Sequence, residues 1–133
     1  MTAALLDTSA YSAHVRGHEL VVAAVAKLER VGMSPIVLGE LRSGFLRGTR
    51  TKANEATLRG FLASDRALVL PVDDGTAERY AVILRDLLER GRPLPTNDIW
   101  IAATAMQHGL PVLTLDRDFQ QIRQVLVECF EPA

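Results

Sequence analysis

The segment PTNDIWIAATAMQHGLPVLTLDRDF, residues 95–119, contains a helix pattern followed directly by a strand pattern. Thr96-Asn97-Asp98 is a typical helix start, apolar residues continue to His108, and Gly109 is a residue that commonly ends a helix. Residues 111–115, PVLTL, predict a short buried strand that is followed by Asp116. A helix that leads into such a strand is typical of a parallel sheet.

The same alternation of strands and helices extends over the rest of the chain. Apolar runs predict further strands at 3–6, 33–37, 67–71 and 125–129, with Pro35 near the edge or start of its strand. Helices are predicted at 19–30, 38–46 and 52–64, and from Asp73 or Asp74 to Glu89. Gly32 is expected to end the first of these helices, and a turn or short helix is predicted at 116–122. We therefore expect one α/β domain over residues 1–133. Its central, mostly parallel sheet would have about five strands and helices on both faces.

Composition and charge exclude several classes of protein. The 133 residues are 48% hydrophobic and 23% charged, with a net charge of −1, so a single folded core is expected rather than disorder. One cysteine, Cys129, allows neither an internal disulfide framework nor a cysteine-rich zinc site, and we expect it to be a small buried hydrophobe. The sequence predicts no signal peptide and no membrane span, which favours a cytoplasmic protein.

Four acidic residues stand apart from those expected on helix surfaces. Asp7, Glu40 and Asp116 follow the first, second and fourth predicted strands, and Asp98 lies in the first turn of the helix before the fourth strand. Ligand sites in open α/β sheets form at the carboxyl ends of strands. Each acid alone has a simpler explanation, as a helix cap, a turn residue or an ordinary helix residue. Together they favour one shared site.

Converging carboxylates repel one another, so a fold that retains such a cluster is expected to place a cation in it. No cysteine or histidine belongs to the pattern, which leaves an all-oxygen site of the kind that suits Mg²⁺ or Mn²⁺. The chemistry that follows is metal-assisted hydrolysis of phosphodiester bonds.

Three segments resemble the motifs of a known family: LLDTSAYS at 5–12, SPIVLGELRSG at 34–44 and the segment at 95–119. In this order they are similar to PIN-domain nucleases, and more narrowly to VapC-type toxins of bacterial type II toxin–antitoxin systems. The resemblance covers essentially the whole chain. It implies a Mg²⁺-dependent or Mn²⁺-dependent endoribonuclease that forms homodimers and is inhibited by a cognate antitoxin.

The resemblance also assigns roles to particular residues. It makes Asp7, Asp98 and Asp116 metal ligands and Glu40 a fourth catalytic acid. Three hydroxyl residues, Thr8, Ser9 and Thr114, would orient these carboxylates. Asp118 is either a fifth acid that assists the metal or a cap on the short helix, and Asn97 either caps its helix or touches substrate, with the cap favoured.

The expected substrate is a structured RNA such as tRNA or ribosomal RNA, and the antitoxin would offer an arginine to the acidic cluster. Between residues 42 and 66, six basic residues accompany two acidic ones, and four of them are candidates for RNA phosphate contacts: Arg42, Arg47, Arg50 and Lys52. A solvated helical face is the simpler explanation. Two alternatives stay open for the whole chain: another Mg²⁺-dependent phosphohydrolase, and a catalytically inactive PIN-like binding module.

Overall fold

The computed structural model describes residues 2–132 and contains a five-stranded sheet whose strand pairings are parallel. The strands lie in the order β3-β2-β1-β4-β5. Their bounds are β1 Ala3–Leu6, β2 Arg30–Met33, β3 Ala67–Val69, β4 Val112–Thr114 and β5 Val127–Cys129. The predicted α/β fold with a parallel sheet of five strands is confirmed.

The strands are connected by helices on both faces of the sheet. These are α1 Thr8–Val15, α2 Glu19–Ala26, α3 Pro35–Arg47, α4 Thr51–Leu62, α5 Asp74–Glu89, α6 Thr96–His108 and a 3₁₀ helix at Arg117–Gln121. The chain runs outward from β1 to β3 and then returns to the other side of β1 for β4 and β5. Since parallel crossovers are right-handed, this reversal places α1–α4 on one face and α5–α6 on the other. A crevice therefore opens between the carboxyl ends of β1 and β4.

The region between α2 and α3 differs from the sequence prediction. The helix predicted over 19–30 ends at Ala26, and the strand predicted over 33–37 lies three residues earlier, as β2. Pro35 begins α3 instead of a strand, because Ser34 is the N-cap and its side chain accepts a hydrogen bond from the Ile36 amide. Proline has no amide hydrogen to lose at the first helical position, so a Ser-Pro pair is well suited to this start.

Gly32 was expected to follow the end of a helix, but it lies inside β2 and is buried. A Cβ atom at this position would lie 3.0 Å from a methyl carbon of Leu70 and 3.3 Å from one of Leu110. The glycine therefore serves close packing over the sheet rather than a helix end.

Two predicted helix boundaries are confirmed. Gly109 follows α6 in the left-handed conformation, with φ of 64°, which glycine adopts without steric cost. Asp73 is the N-cap of α5: its side chain accepts from the Thr76 amide while the Thr76 hydroxyl accepts from the Asp73 amide. The start of α5 and the end of α6 are thus fixed by capping interactions of neighbouring residues.

The core surrounds helix α6, in which Ile99 and the run Ile101–Ala105 are buried. Trp100 faces α5 and stacks on Tyr80, with ring centroids 4.1 Å apart. Cys129 is only partly buried, so the expectation of a small buried hydrophobe is wrong, because β5 is an edge strand. Within residues 2–132, no helix combines the length and the apolar character that crossing a membrane requires.

An ion pair and hydrogen bonds between α5 and the residues around the end of the 3₁₀ helix fix the segment that follows β4. The Asp86 carboxylate on α5 accepts from Arg90 at 2.8 Å and from Arg123 at 2.6 Å, and also from Gln124. The hydrogen bond from Arg90 is the main reason that the pKa of Asp86 falls to about 2. Arg90 also donates to the backbone carbonyl of Gln121. These contacts therefore hold the end of the 3₁₀ helix against α5. That end lies a few residues beyond Asp116 and Asp118, the acids that follow β4.

Candidate active site

Strand register places Asp7 beside Thr114 at the carboxyl edge of the sheet. Leu6 pairs with Leu113 in the parallel β1–β4 ladder, so the residues that follow each of them are neighbours. The Thr114 hydroxyl donates to Asp7 Oδ2 at 2.5 Å, and the Asp7 side chain also caps α1 by accepting from the Ala10 amide at 2.8 Å. Asp7 is 4% exposed. Burial raises its pKa, although the hydrogen bonds oppose this effect.

Ser9 and Thr114 link Asp7 to the segment that carries Asp116. The Ser9 hydroxyl donates to Asp7 Oδ1 at 2.8 Å and accepts from the Leu115 amide at 2.9 Å. The Thr114 hydroxyl accepts from the Asp116 amide at 2.9 Å while it donates to Asp7. Each hydroxyl therefore uses both its hydrogen and an oxygen lone pair, which leaves it one favourable orientation.

Glu40 reaches the same region from helix α3, which contains the helix predicted over 38–46. It lies seven residues beyond the end of β2, rather than three beyond the predicted strand, because β2 ends at Met33. Helix α3 begins at the carboxyl end of β2 and carries Glu40 inward in its second turn. The Thr8 hydroxyl donates to Glu40 Oε1 at 2.5 Å, and the Asn97 amide group donates to Oε2 at 3.2 Å. The preference for Asn97 as a helix cap is wrong, because the N-cap of α6 is Pro95, whose side chain makes no capping hydrogen bond.

Asp98 and Asp116 complete the group of acids. Asp98 lies in the first turn of α6, and Asp116 is the N-cap of the 3₁₀ helix, where its side chain accepts from the Asp118 amide. Burial, followed by the negative charges of Asp116, Glu40, Asp7 and Asp118, raises the pKa of Asp98 to about 6. Asp118 itself is exposed and does not cap the short helix, so the capping alternative for this residue is wrong.

The four predicted acids, Asp7, Glu40, Asp98 and Asp116, line one cavity of about 250 Å³. None of the ion pairs formed among residues 2–132 includes any of these carboxylates. The sequence prediction that they share one site is therefore consistent with the geometry, and no basic side chain in the described part of the chain forms an ion pair with these acids.

The donor atoms around this cavity fit a hard divalent cation, although they do not form a closed cage. Within residues 2–132, no three His, Cys, Asp or Glu side chains are close enough together to hold a metal ion. Mutual repulsion keeps carboxylates apart when no cation lies between them. Mg²⁺ in enzymes is commonly held by one or two carboxylates plus water and phosphate oxygens, so it does not need a complete protein cage.

The cavity is also lined by Ser12 and Ile101, two residues that the sequence analysis did not predict. Both follow from helical spacing. Ser12 is one turn beyond Thr8 on α1, and Ile101 is three residues beyond Asp98 on α6, so each shares a helix face with a predicted site residue. Projecting the helices onto these faces would have predicted them.

Three of the six basic residues between positions 42 and 66 are engaged by other groups of the protein. Arg42 on α3 donates to Glu55 on α4 in a bidentate ion pair, and Arg59 also pairs with Glu55. Arg66 donates to backbone carbonyls near the end of α2. Of the four residues predicted to contact RNA phosphates, Arg42 is therefore the one that already forms an ion pair within the protein.

Arg47, Arg50 and Lys52 are different. All three are exposed, and no hydrogen bond or ion pair within the described part of the chain, residues 2–132, engages their side chains. Arg47 alone of the four candidates lines a groove that also includes Glu40 and Asn97.

The model of the PIN domain family matches residues 4–125, which include every acid described above. The chain belongs to the PIN-domain family. Among proteins similar to this PIN domain is the ribonuclease VapC5 of Mycobacterium tuberculosis, 38% identical over 117 residues, which cover 88% of this chain and 85% of the relative. Toxin FitB of Neisseria gonorrhoeae is 36% identical over 120 residues, covering 84% and 86% of the two chains.

Solved structures agree with this assignment. The VapBC-5 complex of M. tuberculosis contains a chain that is 33% identical to this PIN domain, with a TM-score of 0.75 and coverage of 99% and 100% of the two chains. The VapBC2 structure from Rickettsia felis has a TM-score of 0.86 and coverage of 97% and 99%, but at 21% identity it supports the fold alone. The resemblance to VapC-type PIN domains is confirmed.

Proposed function

We propose that this PIN domain is a metal-dependent endoribonuclease that acts as the toxin of a toxin–antitoxin pair. The observation that carries the proposal is the cavity lined by Asp7, Glu40, Asp98 and Asp116, whose four acids have no basic partner among residues 2–132. The names of its relatives, ribonuclease VapC5 among them, support RNA as the substrate. A catalytically inactive binding module is disfavoured, since such a module has no need to retain four buried or half-buried acids that repel one another.

One or two of Asp7, Asp98 and Asp116 would hold Mg²⁺, or Mn²⁺ in its place, directly, and the others through its water ligands. Glu40 and Asp118 are further carboxylates nearby. When bound, such an ion supplies activation of water and stabilisation of negative charge on the phosphate. The chain itself contributes fixed positions. Two hydroxyls, from Ser9 and Thr114, hold the Asp7 carboxylate, so that its oxygens need no reorganisation during the reaction.

Glu40 is fixed in the same manner, by Thr8 and Asn97, one donor to each carboxylate oxygen. Asp98, with its pKa near 6, loses its proton between mildly acidic and neutral pH. At neutral pH the Asp98 carboxylate is therefore charged, which is the state that attracts a divalent cation.

The biological setting is proposed from the relatives. VapBC-5 of M. tuberculosis is described as a member of a family of toxin–antitoxin systems, which supports a cognate antitoxin here. An arginine from that antitoxin, placed in the acidic cavity, would supply the cation and exclude both metal and substrate. We further propose that residues 1–133 form one nuclease domain that works as a cytoplasmic homodimer on a structured RNA such as tRNA or ribosomal RNA.

Removal of divalent metal should abolish RNA cleavage. We expect purified protein in EDTA to leave RNA intact, and added Mg²⁺ or Mn²⁺ to restore cleavage, because the acids cannot stabilise phosphate charge without a cation. Gel analysis of total RNA measures this directly. RNA-end sequencing after brief expression, with the Asp98→Asn protein as the inactive control, would identify the substrate. Cleavage that persists in EDTA would reject the mechanism.

Replacement of Thr114 by valine should lower cleavage by about 10-fold to 100-fold. The change removes the hydroxyl that fixes Asp7 and accepts from the Asp116 amide, while it leaves the size of the side chain almost unchanged. Thr104→Val is the matched control, since Thr104 is also fully buried but donates only to a carbonyl within its own helix. Equal rates for the two variants, measured on the same RNA, would show that the Thr114 hydroxyl has no role in positioning.

A further inference from the structure

A second cavity, of about 470 Å³, adjoins the acidic one and shares a wall with it. We call it the α3 groove. One face of α3 forms its length, through Pro35, Ile36, Gly39, Glu40, Ser43 and Arg47. Asn97, at the start of α6, forms part of the opposite side. Because Glu40 lines both cavities, whatever occupies the α3 groove lies next to the acidic cavity.

We propose that the α3 groove binds the nucleotide next to the scissile phosphate of a single-stranded RNA segment, and that Arg47 contacts the phosphate beyond it. The proposal rests on the ribonuclease function proposed above. An RNA that is cut in the acidic cavity must continue away from it on both sides. The α3 groove provides one such continuation, and its volume falls within the range of ligand pockets, roughly 300–1,000 Å³.

The chemistry along the groove matches the parts of a nucleotide. Pro35 and Ile36 offer an apolar wall of the kind that contacts a base. Ser43 and Asn97 offer a hydroxyl and an amide for the hydrogen-bonding groups of ribose or base. A 2′-hydroxyl both donates and accepts, so these two side chains can contact RNA in a way that DNA does not allow.

Arg47 is positioned for a flanking phosphate and not for the scissile one. It lies seven residues beyond Glu40 on the same helix, which corresponds to about 10 Å along the helix axis. Arg42, which is nearer in sequence, is already paired with Glu55, so Arg47 is the cation that the groove itself presents. A polyanion that leaves the acidic cavity along α3 therefore meets a guanidinium with no carboxylate partner among residues 2–132.

Gly39 makes the proposal testable without damage to the fold. It is exposed on α3, and a Cβ atom there would have no atom within 4 Å, so a larger side chain would extend into the groove. Gly60, on α4, is equally exposed and equally free of contacts but lies outside the groove. Leucine improves helix propensity at both positions, so Gly39→Leu and Gly60→Leu should each keep or raise the melting temperature.

The experiment measures binding of a short fluorescein-labelled single-stranded RNA of mixed sequence to each variant in an Asp98→Asn background, by fluorescence anisotropy over a range of salt concentrations. We expect Gly39→Leu and Arg47→Gln to weaken binding by about tenfold each, and Gly60→Leu to leave it unchanged. For Arg47→Gln, the slope of log affinity against log salt should become smaller by about 0.7.

A scan with methylphosphonates, which remove the charge of one phosphate at a time from an RNA of defined sequence, separates Arg47 from general electrostatics. The loss caused by Arg47→Gln should disappear when one particular phosphate is neutral. Arg85→Gln is the matched control, because Arg85 is exposed on α5, on the face of the sheet opposite α3, and should show no such coupling.

Three results would overturn the proposal: RNA binding by Gly39→Leu that equals that of Gly60→Leu, a loss at Arg47 that is coupled to no phosphate, or a groove variant that weakens only the antitoxin complex. The last would make the groove a peptide site. Failure of the ribonuclease function itself would appear differently, as an absence of cleavage by the unmodified protein in Mg²⁺.

Discussion

Asp98→Asn should reduce RNA cleavage by about a thousandfold or more and, in the absence of metal, should make the fold more stable. The substitution keeps the shape of the side chain and removes a charge from the cavity that Asp98 shares with three other acids. Loss of that charge weakens the attraction for a divalent cation, on which the proposed chemistry depends. The same loss relieves repulsion within the folded protein.

The effect on stability has a defined pH window. The pKa of Asp98 rises from 3.8 to about 6 on folding, so the folded state holds its proton more tightly than the unfolded state. Below pH 3.8 both states are protonated and the charge has no effect. As pH rises from about 4 to 6 the unfolded state is deprotonated first, so folding is progressively destabilised, and the full penalty remains above pH 6. Since Asp98 is half-buried and water screens its charge, we expect a penalty of about 1 kcal/mol.

Urea denaturation in EDTA at pH 4 and at pH 7.5 would measure this difference. Asp98→Asn should be more stable than the unmodified protein at pH 7.5 and equal to it at pH 4. Asp74→Asn is the matched control, because Asp74 is also an acid in the first turn of a helix but lies far along the chain from the cavity acids, on α5. A loss of stability in Asp98→Asn at pH 7.5, as expected for Asp74→Asn from the helix dipole, would contradict the mutual repulsion of the acids.

The parts of the site that could be predicted from sequence are those set by local chemistry. Helix α6 and strand β4 follow from an apolar pattern, a terminal glycine and a short apolar run, so the positions of Asp98 and Asp116 could be predicted. Asp7 follows a strand of four apolar residues. In each case the signal lies within a few residues of the acid, where periodicity and capping rules apply.

The parts that could not be predicted depend on packing between distant segments. Strand β2 is only four residues long and contains Gly32, so the apolar residues before it extended the predicted helix too far. Arg42 looked available for RNA because its partner, Glu55, is on another helix. Asn97 looked like a cap, and only the approach of α3 to α6 shows that it holds Glu40. Charge counting and spacing contain no information about such contacts.

The two roles of Asp7, in the fold and in the chemistry, should separate in a pair of variants. Asp7→Asn should lower cleavage by about a thousandfold with little change in stability, because asparagine is as good an N-cap as aspartate. Its side-chain oxygen can still accept from the Ala10 amide. Its NH2 group cannot accept from the Thr114 hydroxyl, but removal of a buried charge whose pKa is raised offsets the loss of that hydrogen bond. Asp7→Ala should be equally inactive but less stable by about 2–3 kcal/mol.

The difference between the two variants arises from the groups that alanine leaves unpaired. Without an acceptor at position 7, the Ala10 amide loses its cap, and the hydroxyls of Ser9 and Thr114 lose their common acceptor in a buried site. Asp73→Ala is the control: it removes the N-cap of α5 and should lower stability without loss of cleavage. If Asp7→Asn proved as unstable as Asp7→Ala, the charge itself would be required for folding. Equal inactivity with unequal stability would instead assign the charge of Asp7 to catalysis and its hydrogen-bonding shape to the fold.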